Sequence, residues 1–126
     1  MKLIDLEPTF LRYEIRTERW TRHRADGIDE EITGPRSYFV RVTTLAEAQG
    51  IKFRCPKCGD HAVICWSRSR GTPDDATPGP GRWALVGTSL EDLTLNADPP
   101  SQARSVLLSG GCARHGFVTN GEVTSA

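Results

Sequence analysis

Two short pairs of metal-binding residue types constrain this chain more than any other feature of its sequence. Cys55 and Cys58 are separated by Pro and Lys and followed by Gly59, and Cys112 and His115 are separated by Ala and Arg. This spacing lets two ligands hold one tetrahedral zinc ion from a single turn, and Gly59 permits the positive φ that points backbone amides at sulfur. Together the pairs predict one closed, structural Cys3His zinc site.

The alternative interpretations of these pairs are weaker. A redox pair of the thioredoxin type requires a helix directly after the first Cys and βαβ surroundings, whereas Pro56 and Gly59 lie between predicted strands. In the other alternative, Cys112 is a small buried residue and His115 a surface residue. If the pairs do share an ion, the ion closes the long loop from Cys58 to Cys112. A cross-link of this kind stabilises a fold most when the loop that it closes is long.

Two further residues compete for the ligand role. His61 lies three positions after Cys58, and it either displaces His115 or contacts the ligands from outside. Cys65 lies in the apolar stretch HAVICW and is typical of a core residue. The other predictions for single residues place Trp66 and Trp83 in the core and His23 in solvent.

Composition supports a small domain that needs an additional staple. The chain has 126 residues, enough for one domain, but only 37% of them are hydrophobic, which predicts a thin core. The 16 basic and 16 acidic residues balance, so the chain has no net charge that would attract it to DNA or to a membrane. No apolar run approaches the roughly 20 residues that span a bilayer, and the acidic N-terminus does not resemble a signal peptide. We therefore expect a cytoplasmic protein, in which disulfides are disfavoured.

The hydrophobic pattern predicts a mainly β, β-rich α+β domain of short antiparallel strands. Residues 13–17 alternate between uncharged and charged, which indicates an exposed strand, although the arginines at 12, 16 and 19 also share one helical face. Residues 25–35 have the composition of a turn or loop, and one short helix is predicted near 44–49. Asn120-Gly121 predicts a hairpin. Further strands are predicted at 36–42, 51–56, 61–66, 83–87, 92–95 and 105–108.

Residues 67–82 are rich in Gly, Pro, Ser and charge, which predicts a flexible loop. Too little chain follows for a second core, so this loop is not a domain linker. Residues 1–126 are therefore predicted to form a single zinc-stapled domain.

Roughly residues 45–123 resemble a known family. The stretches AQGIKFRCPKCG, HAVICW, DDATPGPGRWALVGTSLEDLTL and SVLLSGGCARHGFVTNGEV are similar to small phage and bacterial proteins grouped as domain of unknown function 6527, especially the phage-encoded branch. LIDLEPTFL is similar to the opening strand of that family. The resemblance implies a β-rich metal-binding domain from a phage or prophage, and its matching metal positions are Cys55, Cys58, Cys112 and His115. Bacterial members often have a denser Cys-rich knuckle where this chain has CPKCGDH. Because of this departure, the resemblance does not extend any activity of the bacterial branch to this chain.

A closed zinc sphere predicts an accessory or protein-interaction module, with a host or phage protein as the partner, and favours this over an enzyme. Catalytic zinc keeps one coordination position open for water. A nucleoside deaminase requires H-x-E before P-C-x-x-C, and His61 has no such Glu. An HNH nuclease requires a catalytic His beside a second phosphate-binding metal, and no Asp/His cluster is present for one. The resemblance also suggests a peptidase-like alternative, because relatives in the bacterial branch are associated with ubiquitin-like conjugation systems. In this alternative Ser105 is the nucleophile and His115 is the base, so His115 does not bind the metal.

The last alternative is a nucleic-acid-binding zinc module with an arginine-rich face. The competing and favoured interpretation is a solvated face that is paired to Glu14, Glu18, Glu30 and Glu31. The basic residues concerned are Arg12, Arg16, Arg19, Arg22, Arg24, Lys52, Arg54, Lys57, Arg68 and Arg70.

Overall fold

The fold is built almost entirely from antiparallel strands. A computed structural model describes residues 1–76, 82–98, 104–108 and 114–125. The 3-10 helices Leu3–Leu6 and Leu45–Glu47 are the helical elements of those residues. The predicted mainly β class is confirmed, whereas closure of the fold by zinc stays a prediction. The strands are β1 (Thr9–His23), β2 (Asp29–Val42), β3 (Gly50–Arg54), β4 (Ala62–Trp66), β5 (Trp83–Val86), β6 (Thr94–Ala97), β7 (Val106–Leu108), β8 (Arg114–Thr119) and β9 (Glu122–Ser125).

The strands form three sheets. The largest has the order β2-β1-β3-β4, β5 pairs with β6, and the third sheet has the order β7-β8-β9. β6 contacts β8 and β4 contacts β7, so the sheets pack against one another. The N-terminus joins the third sheet, because Lys2 forms an antiparallel bridge with Glu122 in β9.

One hydrophobic core is shared by the three sheets. Phe10 of β1 and Ile51 and Phe53 of β3 point to the same side of the largest sheet and are almost fully buried. Burying side chains of this size stabilises the fold by about 1.5–3 kcal/mol each. The smaller sheets contribute Trp83, Leu85, Leu95, Val106, Val118 and Val123 to the same cluster.

β1 and β2 extend well beyond the rest of their sheet. β3 pairs with only Thr9–Leu11 of β1, whereas the β1–β2 ladder continues until His23 lies opposite Asp29. We call residues 12–23 and 29–40 the β-arm. At about 3.3 Å per residue, this two-stranded ribbon extends roughly 36 Å.

The prediction of a turn or loop over residues 25–35 is wrong from residue 29 onward. The turn covers residues 24–28, where the Gly27 amide donates to the Arg24 carbonyl at 3.1 Å, and β2 begins at Asp29. The acidic residues that suggested a loop lie instead on an exposed strand opposite arginines of β1, as Glu30 does opposite Arg22. Cross-strand charge pairing of this kind stabilises a strand that its own composition disfavours.

Pro35 is compatible with this strand because of its place in the ladder. It lies opposite Thr17, in the same alternating set as Leu11 and Tyr13. The Leu11 carbonyl and the Tyr13 amide both bond to Gln49, away from β2. The proline nitrogen therefore faces away from β1, and its missing N–H removes no ladder hydrogen bond.

Two other predicted elements are corrected in part. LIDLEPTFL is not one strand: Leu3–Leu6 is a 3-10 helix, because Leu3 and Leu6 both point into the core at the three-residue period of such a helix. The strand begins only at Thr9, after Pro8. The short helix predicted near 44–49 is a single 3-10 turn, Leu45–Glu47, and it ends where the backbone becomes extended at Ala48.

The described part of the predicted loop 67–82 makes specific contacts with the rest of the fold. The Arg70 guanidinium donates to the carbonyl oxygens of Leu45, Ala48 and Leu85, at 2.6, 3.1 and 3.2 Å. Thr72 is buried and its hydroxyl donates to the Gln49 carbonyl at 3.3 Å. Residues 77–81 lie outside the described residues, and the flexibility of the loop stays a prediction.

A carboxylate organises the connection between β5 and β6. Asp92 accepts hydrogen bonds from the Ser89 amide at 2.8 Å and from the Thr88 hydroxyl and amide at 2.7 and 2.9 Å. These bonds, that from Ser89 first, lower the pKa of Asp92 below its ordinary value of 3.8.

We expect the charge on Asp92 to contribute stability that depends on pH. Because the folded-state pKa is lowered, this contribution is fully present above pH 3.8 and is lost as the pH falls through the folded-state value. Asp92→Asn keeps the shape but cannot ionise. It should be less stable than wild type in urea at neutral pH, and the difference should shrink below pH 3.8. A constant difference at every pH would contradict this assignment.

Candidate metal centre

The turn between β3 and β4, residues 55–61, carries the first predicted ligand pair, and we call it the knuckle. The Cys55 amide donates to the His61 carbonyl at 2.7 Å and closes the base of the turn. Within the turn, the Gly59 amide donates to the Cys55 carbonyl at 2.9 Å, and Gly59 has a φ of 71°. The positive φ expected at Gly59 is confirmed, and it reverses the chain directly after Cys58.

The two sulfurs of this knuckle have different surroundings. Cys55 is fully buried and belongs to the core cluster, whereas Cys58 is exposed. The Asp60 amide points at the Cys58 sulfur at 3.4 Å, and the Nδ1 atom of His61 lies 2.9 Å from the same sulfur. The thiolate is the form of cysteine that binds metal, and the Asp60 amide is placed to donate to it.

Of the other two predicted ligands, the structure describes only His115. Cys112 lies outside the described residues. His115 lies on β8 opposite Leu107 of β7, and its side chain is exposed. Over residues 1–76, 82–98, 104–108 and 114–125, no three His, Cys, Asp or Glu side chains are grouped closely enough to hold a metal ion. A complete site on the knuckle therefore depends on Cys112.

The structure separates the two residues that compete for the ligand role. Cys65 faces the core from β4 and is fully buried, and this burial raises the pKa of its thiol. The core prediction for Cys65 is therefore confirmed. His61, in contrast, lies beside the Cys58 sulfur. Trp66 and Trp83 are buried as predicted.

An open groove of about 500 Å³ adjoins the knuckle. Arg54 forms an ion pair with Glu7 across it, and its guanidinium also donates to the Gly59 carbonyl at 2.8 Å. This bond ties the knuckle to the N-terminal segment. Sequence reasoning missed the groove because its residues come from four separate segments: Glu7, Pro8, Thr9, Arg41, Lys52, Phe53, Arg54, Asp60, His61 and Ala62.

The arginine-rich surface of the β-arm is largely paired with acids. Arg19 forms two bonds of 2.8 Å with Glu31, and Arg22 lies 2.7 Å from Glu30. The prediction of a solvated, internally paired face is therefore confirmed for these residues. Further pairs on the β-arm are Arg16 with Glu14, Tyr38 with Glu18, and the exposed His23 with Asp29, and Arg24 pairs with Asp26 in the turn that joins the two strands.

The structure gives no hydrogen bond between Ser105 and His115, both of which it describes. Ser105 directly precedes β7, and His115 pairs with Leu107 two positions further along. The two residues therefore lie diagonally on neighbouring strands, a relation that separates Cα atoms by about 7–8 Å. This arrangement contains no nucleophile already bonded to its base.

No helix among the described residues is both long and apolar enough to cross a bilayer. Comparisons of the chain with protein families, with curated proteins and with solved structures find no match.

Proposed function

We propose that this chain is a zinc-stapled interaction module of the phage-encoded type that its sequence resembles. In this proposal Cys55, Cys58, Cys112 and His115 hold one structural zinc ion. The observation that carries the proposal is the knuckle itself: a Gly59 turn that directs the Asp60 amide at the Cys58 sulfur. An amide directed at the sulfur supports a metal-bound thiolate at this position.

The proposed ion has a structural role. Zinc ligation contributes on the order of 10 kcal/mol at neutral pH, which is comparable to the whole stability of a small domain. Cys112 lies between β7 and β8, and β7 contacts β4, the strand that follows the knuckle. An ion shared by both regions would connect the first and third sheets.

Metal analysis of the purified protein tests this proposal. We expect one zinc per chain, and we expect Cys112→Ser to lose the zinc together with cooperative unfolding. Cys65→Ala is the matched control: it also removes a sulfur, but one that faces the core, so it should keep the zinc. Wild-type protein that folds without bound metal, or Cys112→Ser protein that retains a full equivalent, would show the proposal to be wrong.

The identity of the histidine ligand needs a separate comparison. His115→Ala should lower zinc affinity strongly, whereas His61→Ala should lower it weakly if His61 only hydrogen-bonds Cys58. Cobalt substitution provides a second measurement, because the sulfur-to-cobalt charge-transfer band counts thiolates. The band should persist in both histidine variants and weaken in Cys58→Ser. The reverse order of the two histidines would assign the ligand to His61.

A further inference from the structure

The largest sheet presents a continuous outer face on the side opposite the shared core. Phe10 points into the core and Leu11 points the other way, toward Trp66 in a second, smaller cluster. The same alternation assigns Tyr13 and Ile15 to the outer face. Following the pairing across the strands then gives the residues that lie side by side on this face.

The end of the outer face toward the β-arm is apolar. Trp66 is fully buried, and its ring makes edge contacts with Tyr13 at 5.6 Å and with Phe39 at 5.5 Å. Phe39 and Ile15 nevertheless remain 46% and 58% exposed. A rigid aromatic group of this kind, partly open to solvent, is typical of an anchor pocket for an apolar side chain.

The next rows of the outer face are cationic. Arg41 lies opposite Leu11, one row beyond Phe39, and Lys52 lies opposite Thr9 in the following row. Both cations are exposed and line the groove beside the knuckle. Neither has an ion-pair or hydrogen-bond partner within the described chain, in contrast to the paired arginines of the β-arm.

We propose that this outer face binds an extended acidic segment of a partner protein. An apolar side chain of the segment packs on Ile15 and Phe39, and its carboxylates pair with Arg41 and Lys52. From Ile15 to Thr9 the face extends about 20 Å, which matches roughly six residues of extended peptide. The proposal deepens the interaction role proposed above and states where and with what chemistry the partner binds.

The charges of the face favour a protein segment over a nucleic acid. The groove also contains Glu7, which pairs with Arg54, and Asp60, and these carboxylates would repel a continuous phosphate backbone. A peptide can place a neutral residue beside them. The exposed apolar end also suits a side-chain anchor, whereas phosphate contacts provide most of the affinity in nucleic-acid complexes.

Selection from a displayed library of random peptides tests the proposal. We expect enriched peptides to combine Asp or Glu residues with one aromatic or aliphatic residue. Synthetic copies should bind the protein in fluorescence anisotropy, with affinity that falls as salt rises. The double variant Arg41→Glu/Lys52→Glu should weaken binding at least about tenfold, and Phe39→Ser should do the same without changing the salt dependence.

The matched control reverses two other cations. Both are exposed and have no ion pair among the described residues: Arg12 lies on the opposite face of β1, and Lys2 bridges Glu122 in the third sheet. Lys2→Glu/Arg12→Glu should leave the affinity within about twofold. Equal weakening by this control, an absence of enrichment, or an oligonucleotide that displaces the peptide would overturn the proposal.

Zinc content, measured on every variant, separates this proposal from the one on which it rests. Peptide binding by a zinc-free folded chain would contradict the zinc staple and support the outer face. Zinc-loaded protein that selects no peptide would contradict the outer face alone.

Discussion

We expect Gly121→Ala to destabilise this protein by on the order of 3 kcal/mol or more. Gly121 is the second residue of the β8–β9 turn and has a φ of 75°. A Cβ atom at this position would lie 2.6 Å from the carbonyl carbon of Glu91 and closer still to its oxygen. Both atoms belong to backbone, so no side-chain rotation relieves the overlap. The cost combines left-handed strain with steric conflict.

The position of this turn increases the effect. The Gly121 amide donates to the Leu93 carbonyl at 2.9 Å, and its carbonyl accepts from the Leu3 amide at 2.8 Å. The Asn120 amide donates to the Thr94 hydroxyl at 2.8 Å. The turn therefore holds the N-terminal segment and β6 together, and hydrogen exchange at Leu3 and Gly121 should accelerate in the variant.

Gly27→Ala is the control that separates strain from overlap. Gly27 has a similar φ of 81° in the turn of the β-arm, but nothing lies within 4 Å of an added Cβ. We expect a cost of about 1 kcal/mol from the left-handed backbone alone. Urea unfolding of both variants measures the difference. Similar losses in the two proteins would show that the contact between Gly121 and Glu91 is not part of the folded state.

We expect the second large effect from Gly50→Ala, at about 3 kcal/mol, through overlap alone. Gly50 lies in β3 opposite Trp66, and the indole ring covers the space that a Cβ would occupy. An added Cβ would also lie 2.8 Å from the Cys65 carbonyl oxygen. Moving the indole disturbs its edge contacts with Tyr13 and Phe39. The tryptophan fluorescence, to which Trp66 contributes with two other tryptophans, and the thermal unfolding should both change.

Gly34→Ala provides the matched comparison within a strand. An added Cβ there meets only a Trp20 ring atom, at an ordinary 3.7 Å. Because Gly within a strand is less favourable than Ala by roughly 0.5–1 kcal/mol, this variant should be neutral or slightly more stable. Destabilisation as large as that of Gly50→Ala would mean that strand glycines are required for a reason other than space.

The sequence predicts several elements correctly because the residues that determine each of them are close together in the chain. Asn120 and Gly121 both have positive φ, which is the requirement of a two-residue hairpin turn, and the sequence states this directly. The apolar neighbours of Cys65 predict a core position, and Cys65 is buried. The knuckle turn was expected from Gly59 and has the expected backbone.

Long-range pairing decided the features that the sequence pattern misjudged. Asp29–Val42 is one strand because its acidic residues meet arginines of β1, a relation that no local window contains. Leu3–Leu6 is helical because both leucines reach the shared core. Composition alone gives the opposite result for residues 29–35, and the family resemblance gives the opposite result for residues 3–6.

By itself, the sequence determined the β-rich class, the C-terminal hairpin and the turn that carries Cys55 and Cys58, because each depends on residues close together in the chain. Only the tertiary structure decided that Arg41 and Lys52 lie on one face beside Phe39. Those residues come from different strands, and the register of β1 against β2 and β3 brings them together. Register is set by the burial of whole sheet faces, which no single segment specifies.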